Sequence, residues 1–313
     1  MSSARRLYRL HLGLASIGLI GVVTGLIVAL SRIDFGLPST GALLDACRRI
    51  VPLEPDLMLL VLSLGLLGLV VLTLATRSLA RQLRGQHQFL ERLTRSDEAR
   101  ICGHRVVVVE GTRPEAFCAG FLRPRIYISA VALQRLSETE LRAVIAHEAH
   151  HQSSHDPLRI LLAAVLADAL FFLPGLSQLS RRYRQLAELA ADEAASKAEG
   201  AGALASALLI FGERFGPTAP VVGIAPERVD HLLGQSPGWQ IPPSVFVGSL
   251  VILAALLGLA FAAPTLVGSG SLSLAAMLSE LCMVGMVAAP LAILAALPFW
   301  PSGRLRLRLL DHR

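Results

Sequence analysis

The chain has 313 residues, of which 53% are hydrophobic and only 17% are charged, and its mean hydropathy is +0.59. This composition is too apolar for an ordinary soluble protein and indicates membrane-spanning segments. The net charge of +6 does not imply nucleic-acid binding, because the arginines lie mostly beside apolar runs, as the orientation bias of membrane proteins predicts. The four cysteines are scattered without a Cys-x-x-Cys pair, so neither a disulfide framework nor a zinc knot is expected.

Two long apolar runs predict a pair of transmembrane helices within residues 1–76. The spans cover about residues 11–31 and 57–76, each close to the length that a bilayer core requires. A cleaved signal peptide is the alternative for the first run, but the run is long for one and no convincing cleavage site precedes Arg32. Arginines precede the first span and follow the second, which predicts that both flanks are cytoplasmic.

Residues 77–217 are predicted to form a cytoplasmic α+β domain. Residues 77–100 have the pattern of a charged amphipathic helix that leaves the membrane. Three short runs, 106–110, 116–120 and 125–129, then predict a small β-sheet. An exposed edge strand can hold an extended peptide by backbone pairing, although an ordinary structural hairpin explains the pattern equally well. The candidate substrate-binding residues are Ala116, Phe117, Cys118, Ala119 and Gly120.

The strongest motif is His147-Glu148-x-x-His151, which matches the His-Glu-x-x-His zinc signature. Positions i and i+4 lie on one face of a helix, so both imidazoles can reach one ion. A capping box that begins at Ser137 predicts the start of this helix, and Asp156-Pro157 predicts its end. A zinc hydrolase site needs a third protein ligand and leaves its fourth position to water. Glu148 is the candidate general base for that water.

Glu188 and Asp192 supply the carboxylates that this motif requires. They lie four residues apart in a strongly helix-forming stretch and therefore share a face. Glu188 is the candidate third ligand, and Asp192 can accept the free ring N–H of a liganding histidine, which would fix its orientation. The alternative is that Glu188 and Asp192 form a solvent-exposed acidic face of this helix, which balances the charge of the preceding arginines. The only candidates to stabilise the oxyanion formed during hydrolysis are Tyr183 and a nearby arginine.

The apolar stretch of residues 158–176 is not expected to cross the bilayer, because Glu188 would then lie on the opposite side from the histidine pair. A membrane-embedded or buried apolar hairpin is predicted instead. Residues 218–243 are rich in proline and glycine and predict a linker, and residues 244–300 predict a second transmembrane pair. The basic tail, residues 301–313, is expected to be cytoplasmic. Four crossings place both termini and the active site in the cytoplasm.

Five segments, in this order, carry a resemblance to a known family: Ala116–Gly120, residues 124–126, Leu141–His151, Asp156-Pro157-Leu158 and residues 188–194. They resemble the BlaR/MecR-type membrane zinc metallopeptidases, which are antirepressor or sensor-transducer enzymes. The HtpX and CAAX-prenyl-protease group is similar in its His-Glu-x-x-His and Glu-x-x-x-Asp pair. By position, the resemblance implies the zinc ligands His147, His151 and Glu188, the general base Glu148 and the outer carboxylate Asp192.

The resemblance is specific over about residues 102–215 and implies a gluzincin-type zinc peptidase domain. Outside these residues the chain resembles the family only in its membrane topology. The β-lactam sensors of this type carry a penicillin-binding domain after their last span, whereas this chain ends thirteen residues beyond Trp300. Direct antibiotic sensing by this chain is therefore not expected.

The sequence thus predicts a mainly α membrane protein, with four transmembrane helices and a cytoplasmic zinc endopeptidase domain of the cell membrane. Its expected partners are the lipid bilayer and a protein or peptide substrate, with no direct nucleic-acid binding. Regulatory cleavage of a cytoplasmic transcriptional repressor and membrane-protein quality control both fit. The alternative is a catalytically inactive signalling or scaffold protein with a vestigial metal site. An intramembrane site-two-type protease is less favoured, because charged residues such as Glu138 and Arg142 lie in the zinc helix.

Overall fold

The computed structural model describes residues 3–34, 41, 55–93, 95–212, 228, 242–266 and 272–273. Most of these residues are helical. The longer helices, in chain order, are α1 (Ser3–Ser31), α2 (Pro55–Glu91), α3 (Ala130–Arg135), α4 (Glu138–Ser154), α5 (Asp156–Ala169), α6 (Pro174–Glu199), α7 (Ala201–Gly212) and α8 (Pro243–Leu266). The strands are β1 (Ile33–Asp34), β2 (Arg95–Ile101), β3 (His104–Val109), β4 (Ala116–Ala119), β5 (Arg125–Ser129) and β6 (Leu272–Ser273).

Three of the described helices, α1, α2 and α8, are long and apolar enough to cross a membrane. The apolar stretches are Ala4–Ser31, Leu59–Glu91 and Pro243–Ala262, and each exposes several large hydrophobic side chains, as a lipid-facing helix does. The predicted class of membrane protein is confirmed, with these three helices as candidate spans. The fourth predicted span, about residues 274–300, lies outside the described residues.

Packing divides the chain into two compact units. The first comprises Met1–Gly25 and Leu66–Ala262, and it contains the zinc motif. The second comprises Leu26–Gly65 and Ala263–Arg313. Within the second unit, the buried side chains of α1 and α2 pack together and β1 pairs in parallel with β6.

The four-stranded sheet of the first unit has the strand order β2-β3-β5-β4. Strands β3 and β5 are parallel, with Val106 opposite Ile126, whereas β4 runs antiparallel to β5. Val106 and Ile126 are fully buried and pack with Val144 and Ile145 of α4. One face of the sheet therefore supports the zinc helix, and β4 is an edge strand beside it.

The prediction of a helix over residues 77–100 is wrong in its last part. Helix α2 ends at Glu91, and β2 then pairs antiparallel with β3. Cys102 and Gly103 connect the two strands with φ angles of 50° and 83°, and positive values at both positions are typical of a tight two-residue hairpin. Pairing across this turn overrides the helical charge pattern. Cys-Gly is a weaker turn signal than Asn-Gly, so the sequence does not predict the hairpin between β2 and β3.

Helices α5 and α6 form a hairpin whose turn buries leucine side chains, although Phe171 within it is 56% exposed. Leu170, Leu173 and Leu176 are at most 1% exposed, and they pack with residues of α1, α2 and α8. Gly18 of α1 makes room for this turn, since a Cβ there would lie 2.9 Å from Cδ1 of Leu173. The turn therefore packs against the middle of the first candidate span.

Asp168, near the end of α5, joins the hairpin to α2. Its Oδ2 accepts hydrogen bonds from the Ser78 hydroxyl and from the Arg81 guanidinium, both at 2.6 Å. These two contacts make it a structural acid that links two helices.

Candidate metal centre

Helix α4 carries the histidine pair, and its start is fixed by the predicted capping box. The Ser137 hydroxyl accepts from the backbone N–H of Glu140, and the Glu140 carboxylate accepts from the backbone N–H of Ser137. The helix ends at Ser154, where His155 adopts a left-handed conformation with φ 53°. Asp156-Pro157 then opens α5. The local signals in the sequence thus fix both ends of the zinc helix.

The three predicted ligands converge from two helices. The Nε2 atoms of His147 and His151 lie 3.2 Å apart. The Glu188 carboxylate of α6 lies 3.7 Å from Nε2 of His147 and 3.6 Å from Nε2 of His151. All three ligand atoms lie within 4.8 Å of one another, which is close enough to hold a single metal ion.

The hydrogen-bond chemistry of these rings fits a metal ion. On the outer side of the pair, Nδ1 of His151 lies 2.9 Å from Asp156, and Nδ1 of His147 lies 3.0 Å from Asp192. A ring that donates its Nδ1–H to a carboxylate presents a lone pair at Nε2 when it is neutral. Two such lone pairs and a carboxylate that face one another form a donor set that can hold a metal ion. The donor set of two nitrogens and one oxygen is typical of a zinc peptidase.

Asp156 also contacts the histidine pair, a role that the sequence did not predict for it. Its Oδ2 contacts Nδ1 of His151, and its Oδ1 accepts a 2.8 Å hydrogen bond from the Tyr183 hydroxyl. Tyr183 is 1% exposed and its hydroxyl donates to Asp156, so this hydroxyl is unavailable to stabilise an oxyanion. Asp156 therefore orients His151, and Tyr183 orients Asp156.

Asp192 lies beside His147, on the side predicted for it. It is fully buried, with Oδ1 3.0 Å from Nδ1 of His147, although among the described residues that nitrogen has no well-aligned hydrogen-bond acceptor. Arg228 holds both oxygens of Asp192 through Nε and Nη2, at 2.7 Å and 2.6 Å. Its Nη1 lies 3.6 Å from Glu188. The sequence predicts only a linker around Arg228, since no local pattern joins it to Asp192, 36 residues away.

Burial and ion pairing shift the pKa values of the ionisable groups in the site in opposite directions. Burial lowers the pKa of His147, but Asp192 and Glu188 more than offset this and raise the pKa to about 9. Burial alone would raise the pKa of Asp192, yet His147 and Arg228 lower it to about 2. For Glu148, burial prevails and raises the pKa above the ordinary carboxyl value, against the opposing effect of both imidazoles.

The ligands open into a cavity of about 480 Å³, a volume in the usual range for ligand sites. His147, Glu148 and His151 are each 8% exposed, and Glu188 lies at the cavity wall. Strand β4 lines the cavity with three of the five predicted substrate-binding residues, Ala116, Phe117 and Cys118. Of the other two, Ala119 is the last residue of the strand, and Gly120 follows it with a φ angle of 111°. The backbone N–H of Cys118 faces the Glu148 carboxylate.

Comparison with known proteins agrees with this geometry. Residues 54–201 match the family model described as BlaR1 peptidase M56. Over 126 residues the chain is 28% identical to the "Protease HtpX homolog" of Aquifex aeolicus (strain VF5), an alignment that covers 40% of this chain and 41% of that protein. The chain thus spans less than half the length of this relative. The resemblance inferred from the sequence is confirmed: residues 54–201 are similar to the M56 zinc metallopeptidases, with His147, His151 and Glu188 as a metal site typical of a zinc peptidase.

Proposed function

We propose that this protein is a multi-pass membrane zinc endopeptidase that cleaves a protein substrate at the cytoplasmic face of the membrane. The observation that carries the proposal is the convergence of His147, His151 and Glu188 on one point, within a unit that also contains membrane-spanning helices. An inactive scaffold would not need the buried base or the cavity that accompany these ligands. The matches to the M56 model and to a protein named as a protease support hydrolysis.

Glu148 acts as the general base. When bound, zinc supplies Lewis-acid polarisation of the scissile carbonyl and lowers the pKa of water at the site. Glu148 follows His147 on the same helix, and its buried carboxylate lines the cavity next to both imidazoles. It takes a proton from the attacking water and then passes that proton to the leaving amine. His147 and His151 stay fixed, because Asp192 and Asp156 hold their outer nitrogens.

Strand β4 positions the substrate. Among the described strands it pairs only with β5, and its other side borders the cavity. An extended peptide can add to this edge by backbone hydrogen bonds, which places its scissile bond next to Glu148. Phe117 and the apolar side chains of α7 that line the same cavity favour hydrophobic residues in the substrate. Backbone recognition of this kind selects for an extended chain rather than for one sequence.

The end of α1 that meets the zinc region supports a cytoplasmic orientation of the site. Tyr8 of α1 packs on Tyr183 of α6 with ring centroids 5.0 Å apart, and the Arg159 guanidinium lies 5.7 Å above the Tyr8 ring. The same end of α1 carries Arg5, Arg6 and Arg9, which the positive-inside rule assigns to the cytoplasm. The active site then lies at the inner membrane surface. A cytoplasmic repressor or the exposed segment of a membrane protein can reach it there.

The substitution Glu148→Gln tests the proposal. It keeps the side-chain volume but removes the base, so cleavage is lost while zinc stays bound. The matched control is Glu193→Gln, on the exposed side of α6, which should cleave normally. Comparing the proteomes of cells that carry the intact and Glu148→Gln proteins should reveal a substrate fragment that vanishes with the base. Equal fragment patterns would favour the inactive scaffold.

A further inference from the structure

A second cavity, separate from the metal centre, lies at the N-terminal end of α1. It has a volume of about 230 Å³ and lies between α1, the end of α4, the start of α5, and α6. Its polar lining consists of Arg5, His150, Ser154, Asp156, Arg159 and Tyr183. In the proposed peptidase mechanism Asp156 orients His151, and Arg5 and Arg159 have no assigned role. We propose that this cavity binds the phosphate of an anionic phospholipid headgroup.

The charge of the lining favours an anion. Arg5 and Arg159 both face the cavity, and in the described part of the chain neither guanidinium forms an ion pair with a carboxylate. Among the described residues of the lining Asp156 is the only acid, and both of its oxygens already accept from His151 and Tyr183. The Ser154 hydroxyl adds a neutral donor. Two forked guanidinium groups and a hydroxyl match the acceptor oxygens of a phosphate.

The position of the cavity favours a lipid as the source of the phosphate. Ala4 and Arg5 line the cavity and precede the predicted span of residues 11–31 by about two helical turns, so the cavity lies at the depth of the lipid headgroups. Tyr8 and Tyr183 pack together beside it, and tyrosines are enriched at this depth. Pockets for whole drug-sized ligands usually measure about 300–1,000 Å³. The smaller volume here suits a headgroup whose acyl chains remain in the membrane.

A bound headgroup would steady the metal centre. Arg159 lies over Tyr8 and within hydrogen-bonding reach of the Tyr183 hydroxyl, which in turn holds Asp156 against His151. An anion bound by both Arg5 and Arg159 would link α1 to α5 and, through Tyr183, to α6. Lipid binding is therefore expected to stabilise the fold whether or not the protein cleaves a substrate.

The test is thermal unfolding of the purified full chain in uncharged detergent, titrated with dioctanoyl phosphatidylglycerol. Specific binding raises the melting temperature saturably, and dioctanoyl phosphatidylcholine, which has no net charge, has much less effect. Arg159→Gln and Arg5→Gln should each raise the half-saturating concentration, by about tenfold or more when combined. Arg5 is exposed, so its replacement does not threaten folding. Arg159→Lys keeps the charge and should recover part of the affinity.

Arg6→Gln is the matched control, because Arg6 carries the same charge on the same flank but does not line the cavity. It should leave the half-saturating concentration unchanged. An effect of Arg6→Gln equal to that of Arg5→Gln would overturn the proposal in favour of diffuse electrostatic attraction. The absence of saturation would also overturn it. If inorganic phosphate saturated at the same concentration as the lipid, the lipid assignment would be wrong.

Discussion

The Nε2 atoms of His147 and His151 face each other at 3.2 Å, and each ring turns its Nδ1 towards a different aspartate. Asp192 comes from α6, and Asp156 opens α5. Each aspartate is held in turn, Asp156 by the Tyr183 hydroxyl and Asp192 by the Arg228 guanidinium. The geometry of the metal site therefore depends on two chains of contacts.

The first prediction concerns the contact between Asp156 and His151. Asp156→Asn should weaken zinc binding by about 10- to 100-fold, because the amide cannot stabilise the ring N–H as a carboxylate does. Tyr183→Phe should weaken it less, since the aspartate stays and only its orientation is freed. Zinc affinity is measured by competition with a chromophoric chelator. The control is Asp168→Asn, which breaks a helix contact far along α5 and should leave zinc affinity unaltered.

The second prediction concerns the pair formed by Arg228 and Asp192. Asp192 is fully buried, so Arg228→Gln removes two charge-assisted hydrogen bonds from a buried carboxylate and should cost about 3 kcal/mol of stability. The double variant Arg228→Gln/Asp192→Asn should lose less than the sum of the two single changes, because the residues act as one unit. Thermal unfolding of the metal-free proteins measures this. Additive losses would mean that the pair is not coupled.

The third prediction concerns pH. In the metal-free protein the pKa of His147 is raised from its ordinary 6.5 to about 9. The stabilisation from its protonated form is complete below pH 6.5 and is lost as the pH rises through about 9. Zinc binding must displace this proton, so apparent zinc affinity should increase with pH across that window. Chelator competition at several pH values would show a constant affinity if His147 were already neutral.

The fourth prediction concerns metal removal. The ligands come from α4 and α6, so a bound ion ties these two helices together. Removing zinc with a chelator should lower the melting temperature, and adding zinc back should restore it. His147→Ala should melt at the same temperature with and without chelator. A chelator effect that survives this substitution would place the stabilising ion elsewhere.

The parts of the site that the sequence predicts are those with local signals. The capping box at Ser137 and the spacing from His147 to His151 and from Glu188 to Asp192 each lie within one helix, so helical geometry alone fixes which side chains share a face. The candidate spans are equally local, because twenty apolar residues suffice to recognise one.

The rest depends on contacts between elements that are distant in the sequence. Arg228 reaches Asp192 across 36 residues and has no pattern of its own. Asp156 is close to His151 in sequence, but its role depends on the left-handed turn at His155, which directs it back to the ring. Strand β2 was missed because its pairing with β3, rather than its own charged residues, makes it a strand.

The central claim is that a carboxylate from α6 completes a zinc site on α4. Its most direct test compares Glu188→Gln with Glu193→Gln, two glutamates of the same helix of which only Glu188 faces the histidines. Zinc content per purified chain is measured by atomic emission after dialysis against a weak chelator. We expect one zinc per chain in the native and Glu193→Gln proteins and loss of zinc in Glu188→Gln. Full zinc retention in Glu188→Gln would contradict the account.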